Sequence, residues 1–109
     1  MISYNKRTSA EDGGKYMDKE IKLGTNCFYI GESEDKAIAR ITWTPQDNQH
    51  IIVDHTYTDD SLRGQGIAGR LMAAVVAYAR ENNLKIIPTC SYVVYKMDRN
   101  PDEYKDIRA

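Results

Sequence analysis

Gly64, Gly66 and Gly69 head the segment RGQGIAGRLMAAVVAYAREN, which joins a glycine-rich turn to a helical pattern. Such a turn suits an anion. Helix-opening N–H groups lack intrahelical partners, the macrodipole is positive there, and glycine lets an oxyanion reach the backbone without a Cβ in the way. A second chemical pair is Cys90 and His55, each at the carboxyl end of a predicted strand, where open α/β sheets place their ligands. An ordinary thiol, with a pKa of about 8.5, is only a few per cent ionised near neutrality. A neighbouring imidazole or helix start raises that fraction, and Cys90 precedes a predicted helix. Cys90 is therefore a candidate nucleophile and His55 its candidate base. The plainer alternatives are a buried small apolar residue for Cys90 and a packed strand histidine for His55.

Three phosphate motifs compete for the glycine turn. GQGIAG satisfies the dinucleotide fingerprint GxGxxG, but that motif needs its first glycine directly after a buried strand and an acid roughly 20 positions later. Here Thr58 to Arg63 intervene, and Cys90 falls near the place of the acid. A P-loop fails as well, because no Gly-Lys-Ser/Thr follows. The third is RGQGIA, Arg63 to Ala68, taken up below; a turn whose glycines merely permit a tight bend is the alternative to all three. Cys27, His50, His55 and Cys90 have the atoms to bind zinc but none of its short ligand spacings, so no metal is expected. A triad of Cys90, His55 and Asp54 is set aside, since adjacent residues of a regular strand point to opposite faces.

The elements that must position these groups follow from patterning. Ile67, Leu71, Val75 and Ala79 form one helical stripe, with Ala68, Met72 and Val76 beside it, so a helix runs from about Gly66 to Asn82 and ends at Asn83. Before it, Ile21 and Leu23 alternate with charged residues, Cys27 to Ile30 is a short apolar run, and Ala37 to Trp43 and Ile51 to Tyr57 read as further strands. In the last of these, Ile51, Val53, His55 and Tyr57 are expected on one face. Lys85 to Cys90 is a strand after the helix. Strand, helix, strand is a crossover that makes the strands at Ile51 and Lys85 parallel. Pro88 cannot donate to a ladder, so there the strand must be an edge, bulged or diverging. Ser91 to Met97 reads as a short helix, and Asn100-Pro101-Asp102-Glu103 as the start of another.

With 109 residues the chain is sized for one domain, expected over residues 20–109 after a polar mobile arm at 1–19. A net charge of −1 argues against nucleic acid as a partner. No apolar run suits a signal peptide or membrane span, and two cysteines without CxxC spacing suggest free thiols in a reducing cytoplasm.

Taken together, HTYTDDSLRGQGIAGRL, KIIPTCSYV and the RNP of Arg99 to Pro101 resemble the small, minimal branch of the GCN5-related N-acetyltransferases. In that branch a His-Thr pair ends the central strand and a Pro-x-Cys-x-Tyr sequence ends the next; Arg63 to Ala68 resembles the family's Arg/Gln-x-x-Gly-x-Gly/Ala acyl-CoA loop. The resemblance covers roughly Cys27 to Tyr104. It implies an α/β fold with a mixed, mostly antiparallel sheet, a splayed parallel strand pair joined by one long helix, and short C-terminal helices.

The resemblance implies acetyl-CoA as cosubstrate and an unidentified amine as acceptor. Backbone groups of Arg63, Gly64, Gln65, Gly66, Ile67, Ala68 and Gly69 would hold the pyrophosphate, with the Arg63 and Arg70 side chains adding charge. Thr56, Tyr57 and Thr58 would offer their free edge to the pantetheine arm. Tyr92, Lys96 and Asn100 would line the other side of the cofactor, and Tyr92 would donate to the leaving thiolate. Tyr92 packed merely on the helix is the alternative. Two routes stay open: an acetyl-Cys90 relay with His55 as base, or direct attack by the amine with His55 or water taking its proton. The family's usual acceptor-site helices have no counterpart in the sequence, so a non-catalytic acyl-CoA-binding module that docks on a partner is the alternative function.

Overall fold

The computed structural model describes residues 20–109; the expected arm, 1–19, lies outside the described residues. Five strands form one sheet in sequence order: β1 (Lys22–Leu23), β2 (Cys27–Gly31), β3 (Ala37–Pro45), β4 (His50–Thr58) and β5 (Lys85–Pro88). The first four are antiparallel neighbours, and β4 and β5 are parallel, joined by α1 (Ile67–Glu81). Two short helices follow, α2 (Ser91–Arg99) and α3 (Pro101–Tyr104). This is the mixed α/β architecture expected.

One face of the sheet carries the core. Phe28, Ile30, Ala39, Ile41, Trp43, Ile51 and Val53 are buried there, together with Ile67, Leu71, Met72 and Val75 of α1 and Val93 and Met97 of α2. Phe28 packs against Trp43 at a centroid distance of 5.5 Å and edge-on to Tyr78 at 5.8 Å, so an aromatic cluster clamps the C-terminal half of α1 to β2 and β3. That clamp leaves the helix's first turn beside the end of β4. At its other end α1 closes as the sequence predicts: Asn83 is left-handed, and the Leu84 amide donates back to the Ala79 carbonyl at 2.8 Å. The bidentate ion pair of Arg80 with Asp106 ties that end to the C-terminal segment.

Two expectations are corrected. The strand predicted over Lys85 to Cys90 stops at Pro88, whose partner Val53 is the last of the parallel register. Thr89 and Cys90 both turn their amides onto the Val53 carbonyl, at 3.1 and 3.2 Å, and the chain leaves the sheet. Since β4 continues to Thr58, the parallel pair splays from that point. The second correction concerns the faces of β4. Thr42 pairs with His55 but Trp43 with Val53, so Asp54 is the extra residue of a β-bulge. Its carboxylate accepts from the Thr42 and Thr44 hydroxyls at 2.8 and 2.7 Å, which holds it on the outer face.

The bulge inverts the alternation. Ile51 and Val53 point inward before it, whereas Thr56 and Thr58 do so after it, opposite the inward Ile41 and Ala39. His55 and Tyr57 turn outward, opposite Thr42 and Arg40, rather than joining the face of Ile51 and Val53. Asp54 and His55 thus share a face, and the strand-alternation argument that separated them does not hold. The Asp54 oxygens are nevertheless occupied by threonine hydroxyls.

Candidate active site

The glycine turn is built by conformation rather than crowding. Gly64 has φ 82° and Gly66 φ 71°, left-handed values that residues with a Cβ adopt only at a cost. A Cβ at either position would meet open space within 4 Å, so the requirement lies in the backbone. Gly66 is the N-cap of α1 and offers no side-chain oxygen, so the N-cap residue itself does not cap the helix's opening amides. A short 3-10 turn, Asp60–Leu62, lifts the chain from β4 to this loop; the Asp59 carboxylate caps it by accepting from the Ser61 amide at 3.0 Å.

These elements enclose a cleft of about 480 Å³. One wall is Thr56 and Thr58 of β4, the floor includes Leu62, and Arg63, Gly64, Gly66, Ile67, Ala68 and Gly69 form the loop side. Tyr92 of α2 closes the far side, its hydroxyl 3.6 Å from where a Cβ on Gly69 would stand. Burial raises the Tyr92 phenol above its usual pKa, so it stays a donor at neutral pH. Gly69 is helical, and a Cβ there would make only an ordinary contact with that tyrosine.

Cys90 sits beside this cleft rather than in its lining. It is half-buried at the N-cap of α2, and its Sγ lies 3.4 Å from Thr56 Oγ1. Burial acts to raise the thiol's pKa. Hydrogen bonding from the Thr56 side chain and from the main-chain amides of Val93, Tyr92 and Thr56 outweighs it, and the net result lies below the ordinary value. The other thiol, Cys27, is buried in the core and pushed up, chiefly by desolvation. His55, expected to meet Cys90, is exposed on the outer face of β4, and the residue in contact with Cys90 is Thr56.

The remaining sequence-selected residues divide. Tyr57 is outside the cleft, on the outer face under the Arg40 guanidinium at 5.8 Å. Gln65 reaches back to the Ser61 carbonyl at 3.3 Å, and Arg63 pairs with Asp60 at 2.9 Å while lining the cleft. Arg70, in the first turn of α1, is not among the cleft-lining residues. Lys96 and Asn100 line a second cavity of about 330 Å³ between α1 and the two C-terminal helices, which meets the first at Gly69. Leu62 was missed, although one leucine in the polar tract TYTDDSLRGQG is the signal that would have found it. Among the described residues no three His, Cys, Asp or Glu side chains gather as a metal site requires, and no helix is long and apolar enough to cross a membrane.

Comparison with known proteins places this geometry. Residues 27–107 match the family model described as GCN5-related N-acetyl-transferase. The human protein N-acetyltransferase 8B is 33% identical over 61 residues, covering 51% of this chain and 27% of that protein, so the chain spans about a quarter of this relative's length. The solution structure of a GCN5-like protein from Staphylococcus aureus superposes with TM-score 0.69 at 47% identity, over 84% of this chain and 88% of that one. A GNAT family acetyltransferase from Elizabethkingia anophelis, crystallised with acetyl-CoA bound, shares the fold at TM-score 0.51 and 15% identity, over 67% of this chain and 50% of its own. With the family model matched over residues 27–107, most of its length, this chain belongs to the GCN5-related N-acetyltransferase family.

Proposed function

We propose that the chain binds acetyl-CoA and transfers its acetyl group to an amine by way of Cys90, as a member of the small branch marked by Pro88, Cys90 and Tyr92. The observation that carries this is one juxtaposition. A glycine turn with two left-handed residues and a helix start whose N-cap is glycine opens a cleft whose strand wall, at Thr56, touches an acidified thiol. Family membership supplies the chemistry, and the distant relative of the same fold holds the same cosubstrate.

In this reading the amides at the start of α1 take the pyrophosphate, with Arg63 as the charged partner. Its pair with Asp60 is solvent-exposed and therefore little obstacle to rearrangement. The pantetheine arm follows the inner edge from Thr58 to Thr56, where β4 has parted from β5. Lys96 and Asn100 border the cavity beyond Gly69, on the cofactor's other side. Cys90 Sγ bonds to the acetyl carbon as the bond from that carbon to the coenzyme sulfur breaks, and the departing sulfur takes a proton from Tyr92. The amine then displaces Sγ from the acetyl carbon and passes its proton to water, since His55 lies on the outer face of β4. Sγ returns as the thiolate, and Tyr92 recovers its proton from solvent.

Acetyl-CoA at about 100 times its dissociation constant should stabilise the native state by about 2.7 kcal/mol. That raises the melting temperature of a domain this size by about 10 °C, whereas ATP and NAD should do nothing. A Gly66→Val variant should lose between about a third and most of the effect at the same acetyl-CoA concentration, because a β-branched residue relaxes from the left-handed conformation and restoring it costs about 1–3 kcal/mol, or about five- to 150-fold in affinity. An unchanged melting temperature in saturating acetyl-CoA would sink the proposed function.

A further inference from the structure

We infer that Thr56 is the positioning residue for Cys90: its hydroxyl donates to Sγ across the splayed strand ends and holds the sulfur, as the thiolate, at the strand wall of the cleft. This rests on the proposed function for its purpose but not for its test. The argument begins with the bulge. In a regular strand the residue two places after His55 or Val53 would share their inward face, and Thr56 would point outward beside Asp54. The extra residue at Asp54 reverses this and brings Thr56 inward, opposite Ile41. At the same level Thr89 and Cys90 leave the sheet through the shared Val53 carbonyl. Two departures from regular strand structure, one on each strand of the parallel pair, are therefore needed to bring Thr56 Oγ1 and Cys90 Sγ to 3.4 Å.

A threonine suits that place for physical reasons. Its branched Cβ restricts χ1, so the hydroxyl stays aimed with little entropic loss, and it donates without carrying a charge. A histidine there would itself titrate near neutrality, whereas a hydroxyl stabilises the thiolate at every working pH. The groups that set the thiol's acidity fit this division: Thr56 from β4, and the amides of Val93 and Tyr92 from α2, with no charged side chain among them. Tyr92, the titratable neighbour on α2, is pushed up by burial and stays neutral.

The test reads the thiol without any cosubstrate. Iodoacetamide alkylates the thiolate with loss of iodide, and peptide mass analysis separates Cys90 from buried Cys27. In the full-length protein the Cys90 alkylation rate should rise with pH and level off below the value for a free thiol. In Thr56→Val the midpoint should move up by about one pH unit, with the rate at pH 7 about tenfold lower. Thr56→Ser should restore most of it, and circular dichroism melts will identify any variant that has lost its fold. An unchanged profile in folded Thr56→Val overturns the inference, as does a loss that serine fails to restore, because shape would then be the cause. A profile that moves as expected, with full acetyl transfer by Cys90→Ser, would leave Thr56 assigned to the thiol and refute only the relay.

Discussion

Replacing Cys90 by serine should lower acetyl transfer by about a hundredfold or more while leaving acetyl-CoA affinity within about twofold. The asymmetry follows from geometry. The sulfur touches Thr56 at the strand wall but is not among the residues that line the cleft, so replacing it takes little surface from the cosubstrate. A serine hydroxyl in the same place would be almost wholly protonated at neutral pH and would make a poor nucleophile. The pH dependence gives an independent reading. Since the folded-state thiol lies below its ordinary value, the thiolate predominates from a lower pH. The transfer rate of the wild-type chain should thus rise with pH and reach its plateau at a lower pH than an ordinary thiol would give. That limb should vanish in Cys90→Ser. The measurements are steady-state transfer to an amine panel across pH, and mass analysis of the Cys90 peptide after exposure to acetyl-CoA without acceptor, which should carry one acetyl group. Undiminished transfer by the serine variant would establish direct attack by the amine.

Phe28→Ala is expected to produce the largest loss of stability, about 3–5 kcal/mol, against the roughly 5–15 kcal/mol that holds a domain of this kind together. Phe28 is fully buried, and its ring joins two elements that have no covalent reason to stay in register, the β2–β3 hairpin and the far half of α1. Truncation leaves a cavity beside Trp43 and Tyr78, which pack on each other at 5.1 Å, and rigid neighbours on a sheet and a helix cannot collapse to fill it. The melting temperature should fall by more than 10 °C, and cofactor affinity should fall with it at temperatures where the first turn of α1 loses its place against β4. Phe28→Leu, which keeps most of the volume, should recover more than half of the loss. Equal stabilities for the alanine variant and the wild type, measured by urea denaturation, would show that α1 is held by the rest of its apolar stripe.

The history of Asp54 and Thr56 shows where reading along the chain stops. Helical periodicity from Ile67 to Ala79 and the asparagine that ends it were legible because they are local: each residue's preference is satisfied within a few positions of itself. The turn at Gly64 and Gly66 was legible for the same reason, as a left-handed backbone selects glycine whatever surrounds it. Pro88 announced a break in its ladder because the missing N–H is its own. The departure from alternation after Val53 was not legible, because polar residues follow Val53 on both faces and only the pairing with β3 shows that Thr56 and Thr58 are the inward ones. Strict period two concealed it, and with it the face on which His55 lies.

By itself, then, the chain's order of residues determined the kinds of element, their sequence, the parallel crossover and the anion-ready turn, all of which depend on neighbours within a turn or a strand. Tertiary structure alone decided that Thr56 meets Cys90 while His55 looks the other way, and that Leu62 closes the cleft floor. It likewise set Lys96 and Asn100 in a separate cavity across Gly69. The reason is register: one extra residue on β4 rotates everything after it by half a turn about the strand, and which residue is extra is settled only by the hydroxyls of β3 across the ladder.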